Sequence, residues 1–270
     1  VAQPGRALAA DAGAAGDAAV TKTSSSESEH LVLAAETERL LNRSFEFWDD
    51  FLLLRDKNRY NSAIVTAVHA IEELGRAVLH ECAISEADLK NIGIKSQKFH
   101  RVRHFSGLFL APCKRISTMP TIEIDLLKQQ MQEVEHIKTK SRVNQFGEEV
   151  FAFKPSQEII PLIGFLTPDS SDFMQARWLS SAHGFIENHR LGALYGDNSF
   201  YFLYRINYSR RSFGTKNFPA RQYTLIYSQI CSELPTFALA SQCWDVVKEL
   251  MVPALKCFRN VINENTFARN

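Results

Sequence analysis

His69, Glu72, Glu73 and Arg76 lie within one eight-residue window, and His100 and His104 follow with Lys98, Arg101 and Arg103 beside them. Phosphodiester cleavage without a metal needs these residue types: a general acid or base titrating near neutrality and a cation for the phosphate charge. Glu72 and Arg76 are four apart, as are His69 and Glu73, so on a helix both pairs can meet at the surface. His100 and His104 share that spacing and fall on one helical face. Arg177 and His183, separated by five residues, form another arginine–histidine pair. His100, His104, Arg177 and His183 are therefore candidate catalytic residues, and Glu72, Glu73, Arg76 and His69 a candidate polar centre. A solvated helix face laced with ion pairs is the competing reading of that centre.

Two stretches could track phosphates. From Lys95 to Arg115 there are six lysines and arginines and no acid, which makes a local positive patch in a balanced chain. From Arg205 to Arg221, Arg210, Arg211 and Lys216 interleave with Tyr208 and Phe213, the mixture that single-stranded RNA binding uses for backbone attraction and base stacking. Lys98, Arg101, Arg103, Arg210 and Arg211 are the candidate nucleic-acid-binding residues; a solvated surface paired with acids elsewhere is the alternative. Metal chemistry has little support. Glu133-Val134-Glu135-His136 is one helical half-motif of a di-iron bundle, and that architecture needs two. Neither a metal site nor a cofactor is expected, and no phosphate loop, nucleophile elbow or kinase signature is present.

The elements that position these groups read as helices. In 62–81, Ile64, Ala67, Val68, Ile71, Gly75 and Val78 repeat at the spacing of one apolar face. At roughly 100° per residue, Glu72 lies about 80° from Ile64, on the edge of that face. Residues 31–54 form a second long helix, and the short polar break Arg55–Asn58 makes the two antiparallel neighbours. Further helices are predicted at 99–110, from Thr121 to about Lys138, from Ser171 or Asp172 to about Arg190, and at 220–233 and 237–262. Pro112 and Pro120 bracket a break, Pro235 separates the last two helices, and Pro253 should kink or split the final one. The proline-rich stretch 141–171 reads as an irregular insertion, with a candidate strand at Val150–Phe153.

Composition sets the outer limits. A chain of 270 residues with net charge +1 is neither a basic nucleic-acid coat nor an acidic tail, so such affinity must be local. Cys82, Cys113, Cys231, Cys243 and Cys257 are odd in number and show no C-x-x-C pair, which argues against a disulfide framework or zinc ribbon and for a reducing, cytoplasmic setting. No apolar run approaches the roughly 18 residues that span a membrane. Nine alanines and three glycines among the first twenty residues leave no signal-peptide core. Residues 1–30 are expected to be a disordered tail, and 31–270 a single helical domain.

Arg59–Leu79, after a helix beginning Ala34-Ala35-Glu36-Thr37-Glu38, resembles the AbiV family of bacterial abortive-infection proteins. That family carries an Ala-x-x-Glu-Glu-hydrophobic-Gly-Lys type motif, and Ala70-Ile71-Glu72-Glu73-Leu74-Gly75-Arg76 stands in its place, with one residue instead of two before the glutamates and Arg76 for lysine. Phe99-His100-Arg101-Val102-Arg103 is similar to its next marker, with arginine for lysine. Arg190-Leu191-Gly192-Ala193-Leu194-Tyr195-Gly196-Asp197 is similar to a later segment, with Gly196 for valine. The resemblance spans roughly Ala34 to Leu234. It implies an all-α, HEPN-like bundle of antiparallel helix pairs, a homodimer, and a role in phage defence. Its action would be on RNA or the translation apparatus, as a binding protein or a metal-independent ribonuclease. The alternative is a non-enzymatic sensor that recognises a phage protein, a nucleotide or tRNA. HEPN ribonucleases use an arginine and a histidine with about four to six residues between them, and Arg177–His183 meets the loosest form of that motif.

Overall fold

The computed structural model describes residues 33–118, 120–133, 139–143, 149–153, 184–195, 234–239 and 243–264, with 178, 181, 182, 221, 224, 225, 227 and 228. Residues 1–30, Arg177, His183, Arg210, Arg211 and most of the 141–171 insertion lie outside these. The described part is mostly α-helical, in agreement with the composition and periodicity.

Helices α1 (Ala35–Asp56) and α2 (Tyr60–Glu81) are antiparallel partners. The start of α1 meets the end of α2: the Ala34 amide donates to Glu81, and Thr37 Oγ1 lies 2.9 Å from His80 Nδ1. Midway, the buried Ser44 hydroxyl donates to the Ala70 carbonyl at 2.7 Å. The turn between them is a Schellman closure, in which Arg59 N–H reaches Leu54 and Asn58 N–H reaches Arg55. It requires a left-handed residue after the helix, and Asn58 supplies it at φ 56°. Helix α2 ends by the same device, with Ala83 at φ 53°.

A short helix α3 (Glu86–Asn91) and a 3₁₀ turn (Ser96–Lys98) follow. Both occupy the polar stretch where periodicity gives no signal. The reciprocal bonds of Ser85 and Asp88 form a capping box that starts α3. Next come α4 (Phe99–Leu108), α5 (Leu110–Ile116) and α6 (Thr121–Glu133). The break bracketed by Pro112 and Pro120 follows the end of α5, at the turn Ser117–Thr118. Pro112 itself sits in the first turn of α5, where a missing N–H costs no intrahelical bond.

Strands β1 (Thr139–Val143) and β2 (Glu149–Phe153) pair antiparallel, with Ser141 opposite Phe151. The candidate strand at Val150–Phe153 falls in β2. Helix α7 (Phe185–Tyr195) starts only after Gly184, which stands at φ 83°, so the helix expected to run unbroken to Arg190 is interrupted there. Helix α8 (Trp244–Asn263) continues through Pro253 instead of splitting. Residues 234–239 are also helical, and Cys243 is a turn residue immediately before α8.

Helix α2 is the axle of the bundle, packed by α1, α4 and α7, while α8 closes against α4, α5 and α6. Buried Val247, Leu250, Met251, Ala254, Phe258 and Val261 repeat along α8 at helical spacing. Phe105, Phe109, Trp178 and Phe258 form an aromatic knot, with Phe105 and Trp178 centroids 5.1 Å apart. Among the described residues no helix is long and apolar enough to cross a membrane.

Candidate functional site

The site is made by how closely α2 and α4 approach. A Cβ added at Gly75 would stand 1.8 Å from the Arg103 carbonyl oxygen, and one at Gly107 would stand 2.9 Å from that of Ile71. Only glycine permits this backbone contact. It turns Glu72, one helical turn before Gly75, toward the first turns of α4. There His100 Nδ1 lies 2.8 Å and His104 Nε2 3.2 Å from Glu72 Oε1. From α2 itself, His69 Nδ1 lies 3.5 Å from Glu72 Oε2. Three imidazoles thus converge on one carboxylate.

Glu72 is 7% exposed, so this is not a solvated face. Burial alone would raise its pKa, but the neighbouring imidazoles of His104, His69 and His100 outweigh burial and hold it well below the ordinary carboxylate range. An ionised carboxylate only accepts, so the ring nitrogen hydrogen-bonded to it carries the proton. For His100 that assigns the hydrogen to Nδ1 and leaves Nε2 as the basic nitrogen of a side chain 50% exposed. This is the orienting logic of a carboxylate–histidine dyad.

On the α1 side, the Phe47 ring lies 5.6 Å from that of His69, and the Arg43 guanidinium covers Phe47. Periodicity in α1 marked a core face and gave no reason to select either residue. The expected pairs within α2 are corrected. Arg76 bonds Glu73 at 2.9 Å and His69 faces Glu72, both three apart instead of four, because Glu72 is drawn toward α4. Arg76 also lines a cleft of about 300 Å³ with Arg103, His80, Glu36 and Glu86.

The basic patch divides. Arg101 is 8% exposed and donates to the Ile262 and Glu264 carbonyls at 3.2 and 2.7 Å. It therefore ties down the end of α8 and does not face phosphate. Lys98 is also buried, and burial with neighbouring Arg101 and Lys95 lowers its pKa. Arg103 remains partly exposed, 3.6 Å from Glu86. Cysteine nucleophiles are not favoured among the described residues, since burial pushes the Cys82 and Cys257 thiols up to about 12.

Spacing gave no hint of Glu187, on α7. Its carboxylate, Glu72 and His104 place one donor atom each within 4.8 Å of one another. Arg190 holds Glu187 through bonds of 2.9 and 2.6 Å. Comparison of the chain with models of protein families, with curated proteins and with solved structures found no match.

Proposed function

We propose that the chain is an abortive-infection effector of the AbiV type with a HEPN-like bundle, acting on RNA or the translation apparatus through the Glu72 centre. The observation that supports this reading is that two solvent-reaching imidazoles, His69 and His100, face different oxygens of one buried carboxylate. One imidazole on each side of an orienting carboxylate is an acid–base pair. In RNA cleavage, His100 Nε2 takes the proton of a ribose 2′-hydroxyl, and that oxygen attacks the adjacent phosphorus. The bond to the 5′-oxygen breaks, the leaving oxygen takes a proton from His69, and a 2′,3′-cyclic phosphate remains. Arg43, stacked over Phe47 beside His69, offers a cation of the kind that holds the phosphate of a single strand.

Recognition without cleavage is the second reading. It is favoured by the cleft that Arg76, Arg103 and His80 line with Glu36 and Glu86, a mixed-charge setting that could take a polar group of a nucleotide, tRNA or phage protein. One experiment separates the two. Purified protein is incubated with total RNA, and products are resolved with and without phosphatase treatment of the 2′,3′-ends. Cleavage is expected with the wild type and should fall on the order of a hundredfold or more in His100→Ala and in His69→Ala, the usual scale of acid–base catalysis. Intact RNA, together with phage protection that is lost in Arg76→Ala/Arg103→Ala, would overturn cleavage and assign the protein to recognition.

A further inference from the structure

We propose that Glu72, His104 and Glu187 bind one divalent transition-metal ion between α2, α4 and α7. This inference stands apart from the RNA reading, because it concerns the inner side of Glu72 and is read on the purified chain alone.

Three observations converge. The first is the donor set: an imidazole nitrogen and two carboxylate oxygens, contributed by three different helices, lie within 4.8 Å of one another. Donors at about 2.0–2.2 Å from a tetrahedral ion stand about 3.4 Å apart, so closure by at most about 1.4 Å completes the site. Glu187, at the partly exposed edge, can supply that movement.

The second is His104. It is fully buried, and neither ring nitrogen has an aligned hydrogen-bond partner among the described residues, although Nε2 lies 3.2 Å from Glu72. Buried polar groups are normally satisfied, and an imidazole left in this state beside two carboxylates has the disposition of a ligand. The third is the outer shell. Arg190 grips both oxygens of Glu187, and His100 donates to Glu72. Each oxygen keeps a further lone pair, and such outer bonds orient metal-binding carboxylates.

One imidazole with two carboxylates suits zinc and its first-row neighbours rather than magnesium, which prefers oxygen alone and retains its waters. Three protein donors leave one tetrahedral position to solvent.

The full chain, stripped with chelator and dialysed, is titrated with zinc chloride. Bound metal is counted by mass spectrometry, and cobalt(II) serves as the absorption probe. One zinc per chain is expected, retained against a hundredfold excess of magnesium, with a tetrahedral cobalt spectrum. Glu187→Gln should weaken zinc by about tenfold or more and abolish that spectrum while the helical circular dichroism is unchanged. His104→Asn should do the same; if it does not fold, Glu187→Gln decides. No zinc on the wild type, or equal zinc affinity in Glu187→Gln, would overturn the proposal.

Discussion

At the scale of the residue, Glu72 sets the state of everything around it. Its pKa is depressed from the ordinary 4.5, so its contribution to stability is fully present above the unfolded pKa. That contribution is lost as pH falls through the folded value. Glu72→Gln removes the charge that His69, His100 and His104 face. Charge-assisted bonds of this kind are worth about 1.5–3 kcal/mol, so the variant should be less stable by about 2–3 kcal/mol at pH 7. Urea unfolding of both proteins from pH 6 down to pH 2 checks this: the gap should narrow progressively below about pH 4.5, and a constant gap would contradict the charge argument. The gathering of Glu72, His69, His100 and His104 was legible in the sequence as residue types. Their contacts were not, because helical spacing ranks neighbours on one helix and says nothing about the turn of α4 that faces them. Arg101 illustrates the limit, since a basic residue beside two histidines reads as surface until the end of α8 is placed on it.

At the scale of the element, the α2–α4 crossing positions the site. Gly75 falls on the apolar face of α2 in the sequence pattern, where any small residue satisfies the periodicity. The 1.8 Å approach to the Arg103 carbonyl makes it obligatory, and backbone cannot shift as a side chain can. Gly75→Ala should therefore cost at least about 3 kcal/mol, the upper end of overpacking penalties. It should also part Glu72 from His100 and His104. Thermal unfolding with histidine chemical shifts checks both effects; an unchanged melting temperature would show that the helices can separate freely. The helices themselves were largely legible, since α1, α2, α4 and α6 carry apolar faces long enough to read. The starts of α3, α5 and α7 were not. They depend on a capping box at Ser85, a tolerated proline at Pro112 and a left-handed glycine at Gly184, local devices that override hydrophobic period.

At the scale of the whole molecule, the C-terminal end of α8 is stapled beside the site. Asn263 accepts from the Lys95 amide and donates to the Gly93 carbonyl, Arg259 reaches the Ile92 carbonyl, and Arg101 holds the last turn. A Cβ on Gly184 would meet the Arg101 guanidinium at 2.5 Å, so α4, the entry to α7 and the end of α8 share this one cation. Burial lowers the pKa of Arg101 against the pull of Glu187 and Glu264, and its hydrogen bonds go to backbone oxygens. Arg101→Ala should cost about 2–3 kcal/mol, with hydrogen exchange quickening in the last turn of α8. Arg101→Lys should recover part of the loss, since both bonds come from the one nitrogen Nη1 and an ammonium also carries several donors. A phosphate contact behaves otherwise: its loss lowers the slope of RNA affinity against salt by about one unit. With Arg101 committed to α8, that slope should be the same in Arg101→Ala as in the wild type. A reduced slope at unchanged stability would return this residue to the nucleic-acid surface.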